Sequence, residues 1–285
     1  LGDVYKRQGL VEYIGGPQFA HLLLGPLENL AVVEETVVRE KACDSINQLA
    51  GIMSDQQIQT FYLPLLHRLS SGEWFTSRTS AALLFASVYE KIPLSMRADV
   101  HSMFVSLCTD ETPMVRRAAA RDMSALVKRM SPEVIINEML PLYRRLSADD
   151  QDSVRLLTVQ NLVAMAEVLS PAETQQLLLS SICGAFQDKS WRVRYMAADN
   201  FVQLATAVGE DVVKEDLVPA YINLMRDAEA EVRTAAATQL PGLAKLLDQN
   251  TIIERLLPVA KELADDPSQH VRGALAAQVL SLIHI

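Results

Sequence analysis

Side chains that could bind a metal ion or transfer a proton are scattered along this 285-residue chain. The histidines are His21, His67, His101, His270 and His284, and the cysteines are Cys43, Cys108 and Cys183. Neither set has the spacing of a metal site or a disulfide framework. The doublets Asp149-Asp150 and Asp265-Asp266 could bind a cation, but each precedes a predicted helix, where aspartate is common as a cap. We therefore predict no metal and no cofactor.

Sequence motifs of catalysis are equally scarce. The chain contains no phosphate-binding G-x-x-x-x-G-K-[ST], no serine-hydrolase G-x-S-x-G and no zinc-protease H-E-x-x-H. An enzyme would need a cluster of ionisable groups with shifted pKa values, and the sequence gives no sign of one. We predict that the chain is not an enzyme.

Composition narrows the class of protein further. Hydrophobic residues make up 49% and charged residues 21%, with few glycines and prolines, which favours a helical, ordered chain. The net charge of −9 argues against nucleic acid as a partner. The longest apolar run, 81–89, is too short to cross a bilayer. Unpaired cysteines favour a reducing compartment, so we expect a cytoplasmic protein and leave the nucleus open.

The two ends of the chain are predicted to be foreign to the protein. Residues 3–8 can be encoded by GAT GTG TAT AAG AGA CAG, whose reverse complement encodes residues 280–285. One DNA element therefore flanks the sequence in opposite orientations, and it resembles the end of a transposon used to prepare sequencing libraries. We expect 1–8 and 280–285 to be cloning or assembly scars, and 9–279 to be part of a longer protein.

A Val-Arg pair recurs through the rest of the chain, with Ser77-Arg78 in its place once. The seven arginines are Arg39, Arg78, Arg116, Arg155, Arg194, Arg233 and Arg272. Their separations are 39, 38, 39, 39, 39 and 39 residues. A period near 40 residues is typical of HEAT repeats and exceeds that of tetratricopeptide or ankyrin repeats. The sequence thus predicts an all-α superhelix, or solenoid, of seven HEAT hairpins in residues 9–279.

Each repeat is predicted to contain two helices, with Val-Arg near the start of the second. The residue before the arginine and the residues four and seven positions after it lie on one helical stripe, which should be buried. For the third repeat the expected helices are about 95–107 and 112–128. The first helix contains a proline in five repeats, which predicts a repeated kink. These prolines are Pro26, Pro64, Pro141, Pro219 and Pro258.

An aspartate precedes the arginine by six residues in the last five repeats, at Asp110, Asp149, Asp188, Asp227 and Asp266, whereas Val33 and Gly72 replace it in the first two. We expect it to cap the second helix. In a stack, each arginine should lie near the aspartate of its own repeat and that of the next. We therefore predict a structural ladder of ion pairs that includes Arg39, Arg78, Arg155, Arg194, Arg233 and Arg272. Exposed pairs of this ladder should each contribute about 0–1 kcal/mol, and partly buried pairs with bidentate geometry should contribute more.

The turn before the second helix holds residues that a turn does not require. Both tryptophans of the chain, Trp74 and Trp191, stand there, and Arg192 follows the second. Tryptophan and arginine contribute strongly to protein interfaces, and the turns of stacked repeats line up along one edge. This edge is the predicted binding surface, and tryptophans wedged between repeats are the alternative.

Four strings stand at these turns, in the sequences of residues 33–39, 74–80, 112–120 and 188–196. They resemble the scaffolding A subunits of protein phosphatase 2A, and the resemblance runs along essentially all of residues 9–279. The resemblance implies that this chain corresponds to about the third to the ninth repeat of that family. The connection between the sixth and seventh repeats, at about 243–251, departs from the family pattern, because it is shorter than in familiar animal members.

The resemblance also implies partners. In that family the turns bind regulatory B subunits, and the last repeats, which we expect to be absent here, hold the catalytic subunit. Carried over, the contact residues are Glu34, Glu35, Trp74, Asp110, Pro113, Arg116, Arg117, Trp191 and Arg192. A nuclear transport receptor of the karyopherin kind is the alternative, since it is also an acidic HEAT solenoid.

Overall fold

The computed structural model describes the backbone of residues 9–283 and the side chains of residues 10–278. Within that range every regular element is helical and there is no strand, which confirms the predicted all-α fold. The predicted scar at 1–8 lies outside the described residues, as do 284–285. Residues 280–283 continue the last helix, Gln269–Ile283.

After a short helix, Gly9–Tyr13, seven hairpins follow, which we number in chain order. The first helices, in order, are Pro17–Leu23 with Leu24–Leu30, Asp55–Gln57 through Leu63–Ser70, Leu94–Cys108, Pro132–Val134 through Leu140–Ser147, Pro171–Phe186, Glu210–Val212 through Val218–Met225, and Gln249–Thr251 through Leu257–Ala264. The second helices are Thr36–Ile52, Phe75–Ala82 with Phe85–Val88, Pro113–Val127, Asp152–Val168, Trp191–Asp199 with Phe201–Val208, Ala230–Ala244 and Gln269–Ile283.

Four of the five prolines follow a π-helical turn in the first helix of their hairpin. In hairpin 2 the π turn is Ile58–Tyr62, and the N–H of Leu63 donates to the carbonyl of Ile58, five residues back. Pro64 is the second residue of the regular helix that follows, Leu63–Ser70. A wider turn accommodates proline because its ring would clash with a carbonyl four residues back and it has no N–H to donate. Hairpins 4, 6 and 7 repeat this arrangement, whereas hairpins 3 and 5 have no π turn.

The chain forms two compact units, residues 1–130 and 131–285, whose described parts contain hairpins 1–3 and 4–7. Within each unit the second helices of neighbouring hairpins pack side by side, as Pro113–Val127 does against Phe75–Ala82. First helices pair likewise, as Val218–Met225 does with Leu257–Ala264. Small residues of the repeat stripe, such as Ala237, are fully buried in the second helices, and their size leaves room for a neighbouring helix.

Two members of the predicted stripe within the described residues are not buried. Val38 is 39% exposed, and Ala276 is also exposed. They belong to the first and last hairpins, where no further described hairpin lies alongside. Two second helices are also interrupted, at Leu83-Leu84 and at Asn200, although the pattern predicted continuous helices. The Asn200 amide donates to the carbonyl of Met196 at 2.8 Å, so its side chain competes with the helical hydrogen bonds.

Candidate binding surface at the turns

In the turn of hairpins 3 to 7 the aspartate side chain binds the main chain. Asp110 Oδ1 accepts the N–H of Thr112 at 2.8 Å, and Asp188 Oδ1 accepts that of Ser190 at 2.7 Å. Thr112 and Ser190 are the N-cap residues of the second helices, and their own side chains form no cap bond. The expectation that the aspartate caps the helix is therefore wrong. The aspartate lies two residues before the N-cap and closes an Asx turn instead.

The arginine of one hairpin pairs with the aspartate of the next. Arg78 Nε lies 2.6 Å from Asp110 Oδ2, and its Nη2 lies 3.2 Å from Oδ1. The third nitrogen, Nη1, donates to the carbonyls of Gly72 and Glu73 in its own turn, at 2.9 and 2.8 Å. One guanidinium thus ties two consecutive turns together. The arginine contacts its own turn through main-chain carbonyls, not through its aspartate side chain.

The same two-sided arrangement recurs in the second unit. The pairs are Arg155–Asp188, Arg194–Asp227 and Arg233–Asp266, with Nε to Oδ2 distances of 2.9, 2.6 and 2.7 Å. The Arg194 side chain is 19% exposed and that of Asp227 is 8% exposed. Burial raises the pKa of Asp227, but the bonds from Arg194 and from the N–H of Glu229 outweigh it and hold the pKa below its usual value. Bidentate pairs with little solvent are stronger than ordinary surface pairs.

Two of the other arginines, Arg39 and Arg272, differ from this arrangement among the described residues. Arg39 Nη1 donates to the carbonyls of Val33 and Glu34, but no carboxylate of a described residue pairs with it. Arg272 is exposed and donates to the carbonyl of Asp266 at 2.6 Å. Arg116 donates to the carbonyls of Asp110 and Glu111 at 2.8 and 3.1 Å. Arg116 therefore has the main-chain contacts of a ladder arginine, although the resemblance implied that it contacts a partner.

In the first unit, the turns of hairpins 1 and 2 and the start of the second helix in hairpin 3 enclose a cavity of about 540 Å³, which we call the turn cavity. Its lining residues are Val32, Val33, Glu34, Thr36, Arg39, Trp74, Phe75, Thr76 and Met114. Trp74 is 73% exposed, Met114 50% and Phe75 41%. Such exposure of large apolar side chains around one concavity is typical of a protein-binding site. Trp74 is thus not wedged between repeats.

The other candidates of the first unit differ in availability. Glu34, Glu35, Pro113 and Arg117 are all exposed, and Arg117 forms no hydrogen bond or ion pair with another described residue. Asp110, in contrast, has a side chain that is only 9% exposed and is held by Arg78. The geometry therefore places the Asp110 carboxylate inside the ladder and leaves the first four side chains open to a partner.

In the second unit, Trp191 and Arg192 form a cluster with the preceding hairpin. Arg192 lies over the Trp191 ring at 5.5 Å from its centroid, and its Nη1 lies 3.3 Å from Asp152 Oδ2. Ser190 Oγ donates to the same carboxylate oxygen at 2.9 Å. Trp191 remains 37% exposed. These residues link the turns of hairpins 4 and 5 and still offer an aromatic edge to solvent.

Sequence reasoning missed Val32 and Thr76 in the turn cavity. The Thr76 hydroxyl donates to the carbonyl of Val32 at 2.9 Å, and this bond fixes the turn of hairpin 2 against that of hairpin 1. The available signal was weak, because Thr76 stands where other repeats have a variety of residues, such as Met114 and Arg192. No group of three His, Cys, Asp or Glu side chains within the described residues could hold a metal ion. None of the helices in 9–283 is both long and apolar enough to cross a membrane.

Comparison with known families gives two matches, both in the second half of the chain. The model described as PPP2R1A-like HEAT repeat matches residues 210–285, and the general HEAT repeat model matches 178–208. Among solved structures, the karyopherin Kap121p bound to the extreme C-terminus of Cdc14p superposes with a TM-score of 0.71 at 15% identity, covering 95% of this chain and 30% of Kap121p. Cex1p gives a TM-score of 0.64, also at 15% identity, covering 98% and 55%. These similarities concern the fold alone.

Curated relatives are much closer in sequence. The regulatory A subunit of protein phosphatase PP2A from Schizosaccharomyces pombe is 46% identical over 138 residues, which cover 48% of this chain and 23% of that protein. The beta isoform of the human 65 kDa regulatory A subunit is 50% identical over 115 residues, covering 40% and 19%. The Dictyostelium discoideum protein phosphatase 2A scaffold subunit is 42% identical over 134 residues, covering 47% and 23%.

The chain spans less than a quarter of the length of these relatives. The predicted resemblance is confirmed over the aligned 40–48% of the chain, which is homologous to HEAT-repeat proteins named as regulatory or scaffold A subunits of protein phosphatase 2A.

Proposed function

We propose that this chain is part of a non-catalytic scaffold of protein phosphatase 2A that binds a regulatory B subunit through its intra-repeat turns. In the longer protein, the scaffold would also organise the catalytic subunit, and it would act in the cytoplasm. The identity of 42–50% to proteins named as regulatory or scaffold subunits supports this proposal. The likeness to a karyopherin, at 15% identity, does not extend beyond the fold.

The turn cavity is the single observation that best supports binding at the turns. It brings exposed aromatic and apolar side chains of three hairpins around one concavity of about 540 Å³. Interfaces obtain most of their free energy from a few such anchors, with tryptophan and arginine prominent among them. Trp74 and Arg117 therefore form the proposed contact in the first unit, and Trp191 and Arg192 that in the second.

Calorimetric titration of the whole chain with a purified regulatory B subunit tests the proposal. Trp74→Ala should weaken binding by about 2 kcal/mol, or roughly thirtyfold, and Arg117→Glu should weaken it as well. Helicity and melting temperature should remain unchanged, since both side chains are exposed. Leu94→Ala is the matched control, because Leu94 is an apolar side chain that is 79% exposed at the opposite end of a hairpin. An unchanged Kd in both turn variants would contradict the proposed surface.

A non-catalytic role has its own test. The purified chain should not hydrolyse a phosphopeptide, with or without added Mn²⁺ or Mg²⁺. The non-catalytic role would be overturned by phosphopeptide hydrolysis that persists after gel filtration and that is lost when an ionisable residue of this chain is replaced.

A further inference from the structure

Arg39 differs from four equivalent arginines in one respect only. In Arg78, Arg155, Arg194 and Arg233, Nη1 binds one or two carbonyls of the arginine's own turn. Nε and Nη2 of each bind a carboxylate of the next hairpin. Arg39 Nη1 makes the same main-chain contacts, to Val33 at 2.8 Å and Glu34 at 2.5 Å. Its Nη2 has only the Thr36 hydroxyl, at 3.2 Å, and its Nε has no partner among the described residues.

The sequence of hairpin 2 explains the missing carboxylate. Gly72 occupies the position at which hairpins 3 to 7 have aspartate. A Cβ at residue 72 would collide with the Ser77 hydroxyl and lie 2.8 Å from the Ser77 Cβ. Ser77 is buried and donates to the carbonyl of Leu69 at 2.9 Å, so it cannot move aside easily. Hairpin 2 is thus built in a way that excludes an aspartate of its own at this position.

The unpaired guanidinium is nevertheless buried. Arg39 is only 7% exposed, and it lines the turn cavity together with Thr36 and Phe75. A buried cation without an anion is unfavourable, and protein interiors almost always provide a partner for it. The cavity is large enough for more than one side chain, and its walls of Val32, Trp74 and Met114 are apolar.

We propose that the turn cavity binds an acidic side chain of a protein partner, an aspartate or glutamate beside a bulky apolar residue. The carboxylate completes the ladder in trans by binding Nε and Nη2 of Arg39, and the apolar residue packs against Trp74 and Phe75. This inference rests on the proposed function, in that it assumes a protein binds at these turns. It adds which side chains of the partner occupy the cavity, namely an acidic residue and its apolar neighbour. The exposed Glu34 and Glu35 alone do not indicate an acidic partner.

The geometry favours a side-chain carboxylate of a protein over a free anion. The four equivalent arginines all bind a carboxylate through two parallel hydrogen bonds, an arrangement for which the planar guanidinium is suited. The surrounding apolar surface would gain nothing from a small hydrated anion. An acidic residue with an apolar neighbour satisfies both parts of the cavity.

Peptide selection tests this proposal. A displayed library of random 12-residue peptides is selected on the whole chain and counter-selected on its Arg39→Gln variant. We expect enriched peptides to share one acidic residue next to a large apolar one. In a synthetic peptide of that sequence, replacing the acid by its amide should weaken binding to the unmodified chain by about ten- to hundredfold. On the Arg39→Gln chain the two peptides should bind alike.

Two further variants make the outcome decisive. Arg192→Gln removes an exposed turn arginine of the second unit and should preserve the difference between the two peptides. Arg39→Lys retains a positive charge and a donor for the Val33 carbonyl, but lysine cannot form two parallel hydrogen bonds with a carboxylate. The difference in affinity between the acidic peptide and its amide should therefore be smaller on Arg39→Lys than on the unmodified chain, but not zero. This variant keeps the test informative even if Arg39→Gln is unstable. The proposal would be overturned if no acidic peptides were enriched. It would also be overturned if replacing the peptide acid by its amide weakened binding equally on all four chains. Since the selection uses none of the phosphatase subunits, this result and the regulatory-subunit titration can fail independently.

Discussion

Replacement of Asp227 by alanine should destabilise the second unit by much more than the loss of an ordinary surface ion pair. Asp227 accepts two bonds from Arg194, at 2.6 and 2.9 Å, and one from the N–H of Glu229, at 3.0 Å. The alanine variant leaves the Arg194 guanidinium with only the carbonyl of Asp188, at 2.8 Å. The perturbation therefore removes a carboxylate and strands a mostly buried cation.

The expected magnitude follows from burial. An exposed pair would contribute about 0–1 kcal/mol, but removing one partner of a buried pair typically costs about 3–5 kcal/mol. Because the Arg194 side chain retains 19% exposure and can recruit water, we expect the lower end, about 3 kcal/mol. The sequence left open whether the ladder pairs are exposed or partly buried, and the burial of this pair favours the larger value.

Urea unfolding followed by circular dichroism measures this loss. Asp265→Ala is the matched control, since Asp265 is an exposed turn aspartate with no side-chain partner among the described residues, and it should change stability by less than about 0.5 kcal/mol. A double-mutant cycle that combines Asp227→Ala with Arg194→Gln isolates the coupling energy between these two side chains. Asp227 has a lowered pKa, so its stabilisation is present above the unfolded pKa of about 3.9 and is lost as the pH falls through the folded value. The difference from the alanine variant should therefore shrink in acid.

A coupling energy below about 0.5 kcal/mol would refute the reasoning, because it would mean that the buried guanidinium gains nothing from its carboxylate. An alanine variant that is equally destabilised at pH 3 and pH 7 would also refute it. That result would assign the loss to altered turn conformation and not to charge.

Three further predictions concern residues of the second helices, and one of them uses a control in a first helix. Ala237→Asp should cost about 3 kcal/mol or more and lower the melting temperature, because it places an unpaired carboxylate at a fully buried site between helices; an unchanged melting temperature would contradict the facing of that helix. Gly242→Ala should destabilise by about 1–3 kcal/mol, since its Cβ would lie 2.7 Å from a Val202 methyl, whereas Gly184→Ala, with open space around it, should stabilise by about 0.5–1 kcal/mol in the same calorimetric scan. Burial raises the pKa of Asp122 to about 6, although Arg121 opposes this shift. Ionisation of Asp122 should therefore lower the free energy of unfolding as the pH rises from about 4 to 6. Asp122→Asn should abolish that pH dependence and, because the side chain is 25% exposed, should raise the free energy of unfolding at pH 7 by only about 1–2 kcal/mol.

The sequence predicted the helix bounds of hairpin 3 closely, although Arg116 follows Arg78 by 38 residues and not by 39. In hairpin 3 the expected helices 95–107 and 112–128 compare with Leu94–Cys108 and Pro113–Val127. It did not predict π turns, because proline predicts only that the helix must adjust and not how.

The candidate site was less predictable than the fold. Trp74 was identifiable because a tryptophan in a turn is unusual, but the turn cavity depends on how three turns approach one another. The exposure of Trp74 and the burial of Asp110 are properties of that approach and not of either residue type. The sequence shows that Gly72 replaces the aspartate found in later repeats. The consequence for Arg39 appears only when its contacts are compared with those of the equivalent arginines.

The ladder also bears on how this chain folds. Each pair joins residues about one repeat apart, since Arg194 and Asp227 are separated by 33 residues and Arg78 and Asp110 by 32. The loop that must close to form such a contact has the same length wherever it lies in the chain, so its entropic cost does not grow as hairpins are added. Folding can therefore begin at any adjacent pair of hairpins and propagate outward. A mutation in one ladder pair should slow or reverse that propagation locally, and the hairpins on either side should still be able to nucleate.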